Sequence, residues 1–506
     1  MQEPAPSREP TPNLVGAASR WSPHEAIAAQ HLSESESLPL GSRVCDNCIC
    51  LGKFLDIVHD AVPIFSRARF LPGLTDSRYS RDLILTLVLI TAKLTEFTFS
   101  SQSFDLDTRI DLMLSSGWSQ VDIYSNCPSL DQFRKACLLA FYEFHQFPGQ
   151  QAWMRIGKLT RMAQWIGIDR LELLHAYGPS WGAMSQDDFE DWRLVWWFVY
   201  RLDSYANLST GTPYLIDEKL VRTALLSDRP LDCLSESPQH QNLYLPPRPD
   251  DLWELVLAMS SCSRQTSLFN LHIITATAMR QVGRVFQLYM LRLMGEKIAP
   301  PMDIERCLSV LRLSLPTNHL NPTRNAFLNE TRSDHHARLV TVLHLHMARL
   351  LVSIIGCCHM DEGIEWLQSW QQVLEICQDI VSVSEQWNGT FSLSVDPAIS
   401  FIIFTTLIFV DLHKKFAGVS VSHLQSNLEH SETALLLLLE QFARRWTLPR
   451  LLILSFKSFR ELLSGPLLYS HIQSMLSRFE APLHPRWLQF LSSAQANLET
   501  RNETRK

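Results

Sequence analysis

Apolar residues recur along most of this chain at three- and four-residue steps, and glycine is scarce: 18 in 506 residues. Helical spacing of apolar positions selects amphipathic helices. The shortage of glycine works against barrels, propellers and dinucleotide-binding sheets, which use it at tight turns. Segment 81–95 is strongly apolar, and Phe133, Cys137, Ala140, Phe141 and Phe144 fall on one helical face. Ser129 and Gln132 form an S-x-x-Q capping box ahead of that stripe, and Pro148-Gly149 ends it. A second helix is expected over 150–166, with Ile156, Leu159, Ala163 and Ile166 as its stripe and Gly167 as a left-handed C-cap, so the pair forms a hairpin. No period-2 strand pattern and no fixed-period repeat stands out. The fold class expected is all-α: a large multi-helix body preceded by a disordered N-terminal segment.

Segment 192–205 carries apolar surface on every face, with Phe189, Trp192, Trp196, Val199 and Leu202 at helical steps and Trp197, Phe198 and Tyr200 between them. A helix buried nearly all round is expected, closed by a turn at Gly211-Thr212-Pro213. Residues 227–250 read as a proline-rich loop and 318–332 as a second, polar one. Further helices are expected at about 251–294, 303–314, 332–356, 363–387, 396–416, 432–446, 450–463 and 467–479.

The formal net charge is −7, from 45 Lys and Arg against 52 Asp and Glu, so no global basic field attracts nucleic acid or an anionic membrane. The longest apolar runs, 83–92 and 398–410, fall short of the ~20 residues a spanning helix needs and read as core helices. No charged-then-apolar leader opens the chain, and its 11 cysteines are scattered. Together these point to a soluble, intracellular protein with reduced thiols and no membrane partner. Residues 1–44 are rich in Pro, Ser and Glu and net acidic, so they read as disordered and not as a basic DNA-binding arm.

Several clusters carry residues that could form a site. Cys45, Cys48 and Cys50 have His59 as the next candidate ligand, but no second Cys or His pair completes a zinc tetrad. Cys357, Cys358 and His359, with Asp361 and Glu362, are adjacent residues that point in different directions on a helix. His335-His336 and His344-x-His346 share that weakness. Asp187-Asp188-Phe189-Glu190-Asp191 satisfies D-D-x-x-D, a Mg²⁺-binding pattern of all-α terpene synthases, yet acids also suit a helix N-terminus. The aromatic stripe at 189–200 reads as core more readily than as pocket. No phosphate-binding glycine loop, H-E-x-x-H or G-x-S-x-G occurs. No catalytic, cofactor-binding or metal residue is assigned, no cofactor is expected, and the chain is not expected to be an enzyme.

Three segments in order carry a resemblance. The first is His59-Asp60-Ala61-Val62-Pro63-Ile64-Phe65 followed by Arg69-Phe70-Leu71. The second is 136–142 followed by Trp153, Ile156, Gly157, Arg161, Met162, Ala163, Ile166, Gly167, Ile168, Asp169 and Arg170. The third is Glu190-x-x-Arg193-Leu194-Val195-Trp196-Trp197-x-x-Tyr200-x-x-Asp203 with Gly211-x-Pro213. Together they resemble the middle homology region of fungal-specific transcription factors, over roughly residues 50 to 260. The resemblance implies a helical regulatory body, a nuclear location and control of a biosynthetic (secondary-metabolite) or catabolic gene cluster. It implies other transcription factors or co-regulators as partners, a small-molecule effector, and a homo- or heterodimer. The domain reading is 1–44 disordered, 45–260 middle homology region, 261–480 the C-terminal helical part of the same body, and 481–506 a polar tail.

Family members usually carry an N-terminal Zn2Cys6 cluster spaced C-x2-C-x6-C, and that spacing does not occur in this sequence. Contact with DNA is therefore expected to be indirect or through a missing N-terminal domain. Two alternatives stay open: a co-regulator or scaffold dimerising with an intact zinc-cluster factor, and an all-α Mg²⁺-dependent enzyme using Asp187, Asp188 and Asp191.

Overall fold

Helix ends are set by local hydrogen bonds that the sequence supplies. In the computed structural model, helix α5 (Leu130–Gln146) starts on the capping box, with Ser129 Oγ accepting from Gln132 N and Gln132 Oε1 accepting from Ser129 N at 2.7 Å. Its hairpin partner α6 (Gln150–Ile166) stops at Gly167, whose φ of 84° is left-handed and favours glycine. The structure describes residues 43–75, 78–99, 105–115, 128–177, 184–227, 242–262, 267–290, 302–358, 360–416, 422–476, 479 and 481. The expected disordered segment up to residue 42 and most of the 227–250 loop lie outside these, as do the last residues of the chain.

Among the described residues there are seventeen α-helices and no β-strand. Before α5 come α1 (Arg43–Lys53), α2 (Arg67–Thr75), α3 (Arg81–Thr95) and α4 (Leu106–Ser115). After α6 come α7 (Leu171–Tyr177), α8 (Gln186–Thr210), α9 (Leu252–Cys262), α10 (Leu268–Met290), α11 (Met302–Ser314) and α12 (Arg332–Cys358). The chain then forms α13 (Ile364–Glu385), α14 (Ser400–Lys415), α15 (Ser422–Ala443), α16 (Thr447–Leu462) and α17 (Tyr469–Leu476). Helix α8 packs on α5, α6 and α10; α10 packs on α12; α12 leads on through α13 to α14 and α15. One buried apolar cluster runs from Cys50 to Phe479. Gln146 at the end of α5 also bonds Thr447 N and Arg445 O, closing the body on itself.

Two expected boundaries differ. The stretch expected as one helix over 251–294 is two, α9 and α10. Ser260 and Ser261 donate back to the Val256 and Ala258 carbonyls at the end of α9, and Ser267 Oγ accepts from Asn270 N to start α10. Helix α15 begins ten residues before the expected 432: residues 425–427 and 429–430 are polar and exposed, with Leu428 buried between them, so this stretch shows little apolar periodicity. Two helical stretches, Arg332–Cys358 and Pro397–Lys415, are long and apolar enough to cross a membrane, but their apolar windows are 78% and 94% buried inside the protein. They are its core helices.

Candidate functional site

Helix α8 is the element around which the charged interior is built. Ser185 Oγ caps it by accepting from Asp188 N. Its acidic first turns face arginines from other elements. Arg78 pairs with Asp188, and Arg69 reaches Asp187 Oδ1 at 3.2 Å and Asp191 Oδ1 at 2.5 Å. Arg134 on α5 takes the other Asp191 oxygen at 2.7 Å. Asp191 is buried, with both oxygens held by guanidinium groups. The D-D-x-x-D pattern is thus an ion-pair seam joining α2 and α5 to α8, with each of its three aspartates paired to an arginine.

One turn on, Arg193 lies between Glu190 and Glu172 and also reaches Asn242. Trp197 Nε1 donates to Ala224 O at 2.8 Å, and the Tyr200 hydroxyl meets Thr277 Oγ1 on α10 at 2.8 Å. Asp203 Oδ2 accepts from Arg280 Nη1 at 2.7 Å, and Arg280 Nε donates to Glu218 Oε1 at 2.7 Å. Arg280 is wholly buried and sits over the rings of Tyr200 and Tyr214, 4.7 and 4.2 Å from their centroids. Burial alone would raise the Glu218 carboxyl; the adjacent Arg280 and Arg284 outweigh it and hold Glu218 below its ordinary range. Gly211 ends α8 at φ 70°.

Beside this helix opens a cleft of about 1330 Å³. Segment 59–69, helix α8 as far as Arg201, Leu226, Ser227 and Asn242, the start of α10, the start of α12 and residues 391–396 all contribute walls. Arg201 lies against it, buried, with Nη2 donating to Ala61 O and to Asp396 Oδ2 at 3.0 Å. Asp396 Oδ1 in turn faces His145 Nε2 at 3.2 Å and accepts from Ala398 N. Burial pushes Asp396 up, but the hydrogen bond from His145 and the Arg201 charge bring it below the usual carboxylate range. At the mouth, Ser333 Oγ donates to Asp60 Oδ2 at 2.6 Å, joining α12 to the segment after α1. His272 and His336 also line the cleft, and burial pushes both below the ordinary histidine range.

The family model described as "Fungal specific transcription factor domain" matches residues 51–299. The chain carries a fungal transcription factor domain. Proteins similar to this chain include the pigment biosynthesis transcriptional activator pigB of Monascus ruber, 25% identical over 181 residues. That match takes in 34% of this chain and 32% of the relative. Transcription factor tazR of Aspergillus terreus is 24% identical over 106 residues, 21% of this chain and 16% of tazR. The ascochitine biosynthesis cluster transcriptional regulator of Didymella fabae is 29% identical over 98 residues, 19% of this chain and 16% of that protein. The matched segments thus span a third or less of each relative. No solved structure matches the chain.

Within the fungal transcription factor domain, the motif residues Glu190, Arg193, Trp197, Tyr200 and Asp203 all tie α8 to its neighbours. Sequence reasoning missed their partners Glu172, Glu218 and Arg280, and missed the Arg201–Asp396–His145 set. The only local signal was arginine in an otherwise apolar helix, which needs a buried partner somewhere. The cleft draws walls from inside the matched domain and from α12 and residues 391–396 beyond it.

The thiol and histidine clusters scatter. Cys48 is exposed and Cys50 buried, while the Cys45 side chain lies outside the described residues. Cys357 is buried, Cys358 is partly so, and His359 lies outside the described residues. His335 bonds Pro322 O, His336 bonds Arg332 O and Asn388 N, and His344 bonds Tyr205 and Thr275. His346 faces Asp379. Among the described residues, no three His, Cys, Asp or Glu are grouped to hold a metal.

Proposed function

We propose that this chain is a regulator of transcription acting in the nucleus on the genes of a biosynthetic pathway. The observation that carries the reading is the match of residues 51–299 to the fungal transcription factor domain. The printed roles of two relatives, pigment and ascochitine biosynthesis, support the pathway class. The pairing of Asp187, Asp188 and Asp191 with arginines supports a regulatory reading over a Mg²⁺-dependent enzyme. The helical body is the regulatory part, and its contact with DNA runs through a partner protein or through chain outside the described helices.

A reporter assay tests this. The full chain is fused to a heterologous DNA-binding domain and placed on a matching promoter in a fungal host. The expected result is a change in reporter output that depends on the fused chain. Output equal to that of the DNA-binding domain alone, across growth conditions and with the fusion detected in the nucleus, would sink the reading.

A further inference from the structure

We propose that the cleft beside α8 binds an uncharged, largely apolar small molecule through a hydrogen-bond acceptor oxygen, a ketone, lactone or amide carbonyl, seated against Arg201. This deepens the reading above by naming the site of regulation. It rests on that reading only for the claim that the ligand is an effector.

Arg201 is buried and only partly satisfied. Its side chain is 4% exposed, and both of its hydrogen bonds leave from Nη2. Arg201 Nε is buried with no partner. A guanidinium has five N–H groups and no acceptor, so what completes it must bring acceptor oxygens. A second arginine lining the cleft, Arg69, also holds a buried, unpartnered Nε. Buried polar groups are ordinarily satisfied, so unpaired guanidinium N–H groups beside an open cleft mark a place where an acceptor can sit.

The lining carries four arginines and five carboxylates, so it offers no surplus of positive charge to an anion. Arg193 is already shared by Glu190 and Glu172, and the Arg201 charge is met by Asp396. His272 and His336 are pushed toward their neutral forms by burial. An anionic ligand would face these carboxylates, whereas a neutral carbonyl takes the donors without adding charge.

Phe65, Leu194, Leu226, Phe269, Val340 and Val395 supply apolar wall around the polar floor. Ligand sites of about 300–1,000 Å³ typically combine such walls with a few placed polar groups. At about 1330 Å³ this cleft holds a molecule of several fused rings with room at its mouth. Its walls come from six separate stretches of chain, so an occupant changes the contacts between all of them at once.

The test uses the purified full chain and Nile red, a neutral polyaromatic dye with a ring carbonyl, titrated by fluorescence. The expected result is saturable binding at one site. Ala337→Trp and Ser227→Trp, which fill the cleft from α12 and from the loop, are expected to weaken it at least tenfold. Arg201→Met is expected to weaken it similarly where circular dichroism shows it folded; the two tryptophan variants carry the test otherwise. Trp165→Ser, at a 77% exposed apolar position outside the cleft lining, is expected to leave it unchanged. The proposal is overturned if binding does not saturate, if both cleft-filling variants stay within twofold of the parent, or if Trp165→Ser abolishes it. Displacement of Nile red by the anionic dye anilinonaphthalene sulfonate at matched concentration would overturn the neutral class. Binding is read without transcription, so a silent reporter and an empty cleft are separate failures.

Discussion

Replacing Arg280 by methionine isolates the interaction that ties α8 to α10. Arg280 is wholly buried and holds Asp203 and Glu218, each at 2.7 Å, together with Ser204 Oγ and the Ile216 carbonyl. Methionine fills much of the volume and removes the charge. Glu218 keeps Arg284 at 2.7 Å, so it is not stranded. Asp203 loses its cation but keeps donors from Leu215 N, Ile216 N and Asn207 Nδ2. Breaking one side of a buried ion pair costs about 3–5 kcal/mol, and the donors left to Asp203 place this case near the lower end, about 3 kcal/mol. Urea unfolding followed by far-ultraviolet circular dichroism reads that loss. The pH dependence gives a second check. Glu218 is held below its ordinary value of 4.5, so its contribution is complete above that value and fades as pH falls through the folded-state value. The gap between parent and variant is therefore widest near neutrality and narrows under acid. Adding Asp203→Asn to Arg280→Met removes the uncompensated charge and is expected to recover part of the loss. A single variant within about 1 kcal/mol of the parent at neutral pH would refute the reasoning that this pair holds the two helices together.

Other outcomes follow from the same structure. Ser129→Ala removes one half of the capping box and is expected to cost about 1 kcal/mol in urea unfolding. Gly211→Ala forces a side chain into a left-handed C-cap and is expected to cost about 1 kcal/mol, seen as a lower unfolding midpoint. Asp191→Ala leaves Arg69 and Arg134 facing each other without a carboxylate between them and is expected to cost about 3 kcal/mol or more. Millimolar Mg²⁺ is expected to leave the melting temperature unchanged, because the acids of α8 are occupied by arginines; a rise abolished by Asp188→Asn would restore the metal reading.

Periodicity and capping chemistry made the helices legible. The box at Ser129 and Gln132, the glycine stops at 167 and 211, and the all-round apolar helix over 192–205 stand where the spacing placed them. The two displaced boundaries fall where serine side chains end and restart helices and where polar first turns hide a helix start. The charged interior was not legible, because its pairs are distant in sequence. Arg201 meets Asp396 across 195 positions and Arg280 meets Asp203 across 77. Local spacing cannot supply such partners. For the same reason the sequence leaves a metal-binding alternative open for Asp187, Asp188 and Asp191 beside the reading as helix N-terminal acids, until Arg69, Arg78 and Arg134 are brought onto them by the fold. The cleft was not visible in sequence either, since its walls come from six stretches that only tertiary packing unites.

The most direct measurement is transcript sequencing of a strain lacking the gene, beside its parent and a complemented strain, under conditions that induce secondary metabolism. The account predicts a coherent change in a set of biosynthetic genes that complementation reverses. Transcript levels unchanged between the strains in every condition, with the protein shown to be made in the parent, would contradict it.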